Sequence, residues 1–180
     1  MMNRQESLTK IAAGAGLLTA LPIAGWGRSH TADFTSDFLP RWETSKGYTL
    51  KVLDKMPEEY FNYAPTAEQM GFGKQLTHMA FWNSFYIAPF EGKQAMPEPK
   101  ETTKATARAY IEENFDYCTS VIEKITAADL NRKSVIDENY WREHTGRDLL
   151  LRAFAHTSHH RAEAIVYLRL KGIEPPFFEF

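Results

Sequence analysis

Three histidines crowd one short stretch near the C-terminus: His156, His159 and His160. Residues four apart on a helix lie one turn apart and about 40° around the axis, so His156 and His160 can present their imidazoles to a single point. Neutral imidazole is the commonest protein metal ligand, and the pair reads as a chelate for a divalent ion. His156 and His159, three apart, form an alternative pair. Adjacent residues diverge by about 100°, so His159 and His160 cannot both serve one ion. Thr157 stands where a zinc protease of this spacing carries its general-base Glu, which argues against that chemistry. Two imidazoles leave a site incomplete. His78, set among Leu76, Met79, Phe81 and Trp82, is the best candidate for the third ligand, against the alternative of a hydrogen-bonded core histidine. His30 and His144 have no partner at ligand spacing. Cys118 falls inside an apolar stripe and reads as a small core residue rather than a reactive thiol.

These side chains need elements to carry them. Helical periodicity marks four segments and no stretch alternates long enough for a sheet. The first runs from about 37 to 56, with Phe38, Trp42, Thr49, Leu53 and Met56 near one face, Ser36 as cap and Pro40 in the first turn. The second runs from about 73 to 88 and carries His78, Trp82 and Phe85 on one face, stopped by Pro89. Trp82, Phe85 and Tyr86 could wall a pocket, though Trp82 and Phe85 read first as core. Residues 91 to 101, with Gly92, Pro97 and Pro99, read as a loop crossing one end of the molecule. The third helix begins after Thr102 or Thr103, with Ile111, Phe115, Cys118, Ile122 and Ile125 at spacings of four, three, four and three. Residues 127 to 145 read as polar and irregular, anchored by Tyr140 and Trp141. The fourth helix opens with a capping box of Thr145 and Asp148 and continues to Lys171, where Gly172 acts as a left-handed cap ahead of Pro175 and Pro176. The expected fold is all-α, a four-helix bundle.

Composition narrows the partners. The chain has 180 residues, 43% hydrophobic and 24% charged, with a formal net charge of −2. No dense basic cluster exists, which argues against nucleic acid. A single cysteine excludes an internal disulfide and a Cys-based zinc site. Arg4 and Lys10 precede the apolar run Ile11–Ala24, the form of a secretory signal. Residues 1–28 are accordingly read as a targeting segment, residues 33–180 as the bundle domain, and the mature chain as exported without stable membrane insertion; a cytoplasmic location follows if the segment is no signal. The aromatic tail of Phe177, Phe178 and Phe180 could cover the bundle or seat a second copy in a homodimer.

From Trp42 onward the chain resembles the DinB/YfiT-like family. The resemblance rests on Leu76-Thr77-His78-Met79-Ala80 and on His156-Thr157-Ser158-His159-His160-Arg161-Ala162-Glu163, followed by the stretch from Tyr167 to Pro176. It implies a four-helix bundle in which three histidines, at the positions of His78, His156 and His160, hold a divalent metal between helices. Zn is expected first, with Ni or Fe as alternatives. It implies activation of water for hydrolysis, or of a low-molecular-weight thiol for transfer, on a small-molecule substrate; a non-catalytic metal- or ligand-binding bundle is the competing reading. The family's usual Gly-Gln after His-Arg is Ala162-Glu163 here. Glu163, about 60° around from His160, is therefore a candidate general base, ligand or orienting residue, against the alternative of a surface ion pair. Arg161 faces elsewhere and is expected to pair with an acid on a neighbouring helix.

Overall fold

The computed structural model describes residues 30–138 and 140–180. Among the described residues there are five α-helices, α1 His30–Lys55, α2 Phe72–Ile87, α3 Lys104–Ile122, the short α4 Ala127–Asn131 and α5 Gly146–Leu170, and two short 3-10 turns, Glu58–Tyr60 and Ala88–Glu91. Among the described residues no strand forms, only an isolated antiparallel bridge between Lys133 and Thr145. The four long helices make the expected bundle. The apolar segment Ile11–Ala24 and the export it suggests lie outside the described residues. No described helix is long and apolar enough to cross a membrane.

Side-chain contacts give the direction of each helix. Asn83 meets Thr157, while Gln75 reaches His160 and Tyr167, so α2 and α5 are antiparallel. Phe38 packs on Phe154 and Ser45 accepts from Arg161, so α1 and α5 are parallel. Lys46 pairs with Asp116 and Arg108 with Asp54, so α3 opposes α1 and runs parallel to α2. The helices therefore follow an up, down, down, up order. Around the bundle α2 packs chiefly on α5 and α3, and α1 closes the ring against those same two helices.

That topology corrects the reading of residues 91 to 101. Two parallel helices cannot be joined across one end; their connection must return the full length of the bundle. The backbone amide of Met96 donates to Ser84 near the end of α2, and Tyr110 donates to the Met96 carbonyl. Farther along, Glu98 reaches Lys74 in the first turn of α2. The loop thus lies along α2 and carries a carboxylate to His78.

Other boundaries shift for local reasons. The first helix starts at His30, so Pro40 sits inside it and contributes no N–H to the ladder, and Ser36 is within the helix rather than its cap. Residues 127 to 145 are less irregular than their polarity suggests: Thr126 and Asp129 form a reciprocal capping box that starts α4. The predicted caps Thr103 and Thr145 both hold, the latter with Asp148 as reciprocal partner. At the far end Gly172 has φ +71°, and Ile173 donates to the Leu168 carbonyl at 2.9 Å, the left-handed stop expected. The core runs through the bundle axis, with Trp42 against Phe115 at 4.8 Å and Ile111, Cys118, Ile122, Leu76, Met79 and Leu168 fully buried. Burial pushes the Cys118 thiol far above its ordinary range, which fits a core role.

Candidate metal centre

His78 projects from α2, and His156 and His160 from successive turns of α5, the helix against which α2 packs most closely. The three imidazoles converge. Ring centroids of His156 and His160 are 4.4 Å apart, those of His78 and His160 4.8 Å, and those of His78 and His156 5.5 Å. One nitrogen of each ring lies within 4.8 Å of the other two. The Nε2 atoms of His156 and His160 are 3.0 Å apart, close enough for both to bind one ion at the usual distance of about 2.0–2.1 Å. Antiparallel packing is the reason: it sets the middle of α2 opposite the middle of α5, where the two histidine-bearing turns meet.

All three rings are held neutral, the form that ligates. Burial lowers the His160 pKa to about 3, with the neighbouring charges of His156, His78 and His159 adding to it. His156 falls to about 4, again mainly through burial. His78 is lowered by burial too, while the Glu98 carboxylate works against the shift. The buried histidine expected on α2 is in fact partly open, with 28% of its side chain exposed.

His160 is supported by a chain of hydrogen bonds. Its Nδ1 lies 2.5 Å from Oε1 of Gln75, which is buried. The Gln75 amide nitrogen donates to Glu163 Oε2 at 2.5 Å and to the Tyr167 hydroxyl at 3.2 Å. Tyr167 in turn donates to the Met70 carbonyl at 3.1 Å. Since a carboxylate and a backbone carbonyl only accept, the chain has one consistent polarity. The amide NH₂ must face Glu163, its oxygen must face His160, and His160 must carry its proton on Nδ1. Nε2 is then left with a lone pair directed at the other two imidazoles. His156 has no such support. Its Nδ1 is buried without a hydrogen-bonding partner among the described residues, and the ring is held by packing beside Trp82 and Tyr86, at 5.9 and 6.4 Å.

The sequence candidates thus sort as follows. His78, His156 and His160 come together. Glu163 does not face that trio directly: one carboxylate oxygen accepts from Gln75 and the other lies 3.2 Å from His159 Nε2. His159 is exposed and, contrary to the expectation that adjacent histidines cannot share a point, one of its ligand nitrogens lies within 4.8 Å of ligand atoms of His160 and Glu163. His144 packs against Tyr140 and Trp141 instead. Trp82 and Phe85, read first as core, are only half-buried. Trp82 lies 6.1 Å from His78 and 6.2 Å from Trp141 and walls the site. Among the described residues Arg161 has no acidic partner; it donates to the Ser45 carbonyl and hydroxyl and to Thr49 on α1.

Two contributors had escaped the sequence reading. Gln75, a buried polar side chain three residues before His78, left a legible trace as a polar break in an apolar helix face. Glu98 comes 3.9 Å from His78 Nδ1 on a loop whose path no local pattern reveals. Beside them a cavity of about 500 Å³, lined by Lys74, His78, Phe81, Trp82, Pro97 and Glu98, opens onto the His78 edge of the cluster.

Fold and site together define a class: a helical bundle with a three-imidazole cluster set between two helices, fit in donor type and spacing for a divalent ion. The sequence profile of the DinB family matches residues 29–180, and the chain belongs to that family. It is similar to the uncharacterised protein YjoA of Bacillus subtilis strain 168, 26% identical over 145 residues that cover 74% of this chain and 89% of the relative. Among solved structures it is similar to a DinB-like protein of Bacillus cereus ATCC 10987, with TM-score 0.67, 19% identity, 80% of this chain covered and 97% of that one. The structure of YjoA itself superposes with TM-score 0.60 at 22% identity, covering 79% of this chain and 98% of that one.

Proposed function

We propose that this chain is a metal-dependent enzyme that acts on a small molecule, with one divalent ion held by His78, His156 and His160. The observation that carries the reading is the convergence of three neutral imidazoles from two antiparallel helices beside a cavity large enough for a small substrate. Zn is the first candidate, with Ni or Fe as alternatives. A divalent ion with an open coordination position lowers the pKa of a bound water or thiol and polarises a substrate oxygen.

The protein's own groups supply the rest. Gln75, held by Glu163 and Tyr167, keeps the proton of His160 on Nδ1, so that its Nε2 is free to ligate. Glu163 therefore acts on the centre through Gln75, as a positioning residue, rather than by taking a proton from substrate itself. Glu98 lies within ionic reach of His78 and favours the same tautomer there. Phe81, Trp82 and Pro97 offer apolar contact to a substrate, and Lys74 and Glu98 offer polar contact at one end of the cavity. The only cysteine, Cys118, is fully buried in the core, so a reacting thiol would have to arrive as a second substrate. This favours hydrolysis as the simpler reaction of the centre.

Metal analysis of the purified chain tests the proposal, with azide binding to the cobalt-substituted form as the probe of an open position. One ion per chain and an azide-sensitive spectrum are expected. Stoichiometric metal retained after replacing both His156 and His160 by Ala would end the reading.

A further inference from the structure

A second site lies on the opposite flank of α5. Arg161 follows His160 directly and so projects about 100° away from it, towards α1. The residue is buried, with 6% exposure, yet no carboxylate among the described residues lies within ion-pair reach. One guanidinium nitrogen, Nη1, serves all of its protein acceptors: the Ser45 carbonyl at 3.2 Å, the Ser45 hydroxyl at 2.6 Å and the Thr49 hydroxyl at 3.3 Å. Tyr48 stacks beneath the group, 4.7 Å from its carbon. Nε and Nη2 find no acceptor among the described residues. These two nitrogens form the edge that grips a carboxylate with two parallel hydrogen bonds.

Arg161 lines a cavity of about 280 Å³ between α1 and α5. The walls are mainly apolar, from Tyr48, Phe154 and Ile165, and the aromatic tail roofs it. Phe178 meets Tyr48 edge-on at 6.0 Å, Glu179 pairs with Lys51, and Arg41 stacks on Phe180 at 5.6 Å. Arg41 brings a second guanidinium to this cavity, and it donates to the Asp37 carbonyl. A guanidinium cannot shed its proton at ordinary pH, and burying a charge without a counter-charge is unfavourable. A cavity lined by a guanidinium with two unengaged nitrogens and by apolar walls calls for an anion with an apolar body.

We propose that the cavity between α1 and α5 binds a small amphipathic monocarboxylate, its head group on the Nε/Nη2 edge of Arg161 and its chain along Phe154, Ile165 and Phe178. A phosphate monoester fits less well, since its three charged oxygens would meet one free edge and apolar walls. The cavity is at the lower limit of the range of about 300–1,000 Å³ usual for ligand sites, which selects a short chain. The site is independent of the metal centre, which lies between α2 and α5.

Calorimetric titration of the full chain with octanoate tests this, with octanol as the ligand lacking the head group. Both are measured with metal present and after chelation, because a carboxylate could also coordinate the ion. Saturable binding of one octanoate per chain, unchanged by chelation, is expected, with octanol at least tenfold weaker. Arg161→Lys keeps the charge but loses the two-donor edge, and should weaken octanoate at least tenfold. Ala162→Phe, at an exposed position lining the cavity, should block binding without touching the guanidinium and serves if the first variant does not fold. No saturable binding, equal affinity for octanol, loss of binding on chelation, or full affinity in Ala162→Phe would each overturn the proposal.

Discussion

At the scale of single residues, the proposed centre is supported by a side chain outside the trio, Gln75, which bonds His160. Gln75 fixes the tautomer of His160, and removing such support usually lowers metal affinity by about 10–100-fold. Gln75→Leu should show a loss of that size in competition with a chelating dye, while Glu163→Gln, whose amide oxygen can still accept from Gln75, should lose less. Equal affinities in wild type and Gln75→Leu would remove the relay from the account. Nitrogen chemical shifts of His160 in metal-free protein give a separate reading, with protonation on Nδ1 expected. The same histidines set a pH dependence. In the metal-free fold His160 and His156 titrate near 3 and 4, whereas in an unfolded chain histidine titrates near 6.5. The unfolded state therefore binds more protons between those values. Stability of the metal-free protein should be highest above about pH 6.5 and decline as the pH falls towards 4 and then 3. Urea melts at pH 7.5 and 5 measure the difference, and His156→Gln should reduce it.

At the scale of elements, the helix that carries two of the three imidazoles is set in place at its first turn. Thr145 and Asp148 satisfy each other's backbone amides, and replacing either by Ala should cost about 1 kcal/mol. The Thr145 amide and hydroxyl hold the Asp148 carboxyl below its ordinary pKa, so this contribution too is present at neutral pH and fades in acid. Gly146, the next residue, allows α5 to start against α4. A Cβ there would lie 2.2 Å from the Asp129 carbonyl oxygen and 2.9 Å from the Phe90 ring. Because the first obstacle is backbone, Gly146→Ala should destabilise the fold by about 1–3 kcal/mol, despite the better helix propensity of Ala. Thermal melts of that variant beside Gly47→Ala, which meets nothing within 4 Å, separate the clash from propensity.

For the whole molecule, an ion held as proposed by His78, His156 and His160 would tie α2 to α5 and couple metal binding to folding. Ligand at a hundred times its Kd stabilises by about 2.7 kcal/mol. For a chain of this size that corresponds to a rise in Tm of about 5–11 °C. Differential scanning calorimetry with and without excess chelator should show a shift of this order in wild type and little in a His156→Ala, His160→Ala variant. An identical Tm in both conditions would separate the centre from stability. The return loop over residues 91 to 101 belongs to the same scale. By carrying Glu98 from the far side of the chain to His78, it makes the site a product of the up, down, down, up order rather than of α2 and α5 alone.

Sequence periodicity determined the helices, since a face repeating every 3.6 residues is a local property that burial reads directly. Thr103, Thr145 and Gly172 announced their boundaries because capping is also local. The His156–His160 pair was legible for the same reason, as four residues on a helix fix a distance. His78 was a candidate only, because the register between two packed helices is written in no segment of either. Tertiary structure brought it to the pair, turned Glu163 onto Gln75, and buried Arg161 between helices against Ser45 and Thr49. Each of these depends on which helix faces which, and that is settled by the packing of the whole core.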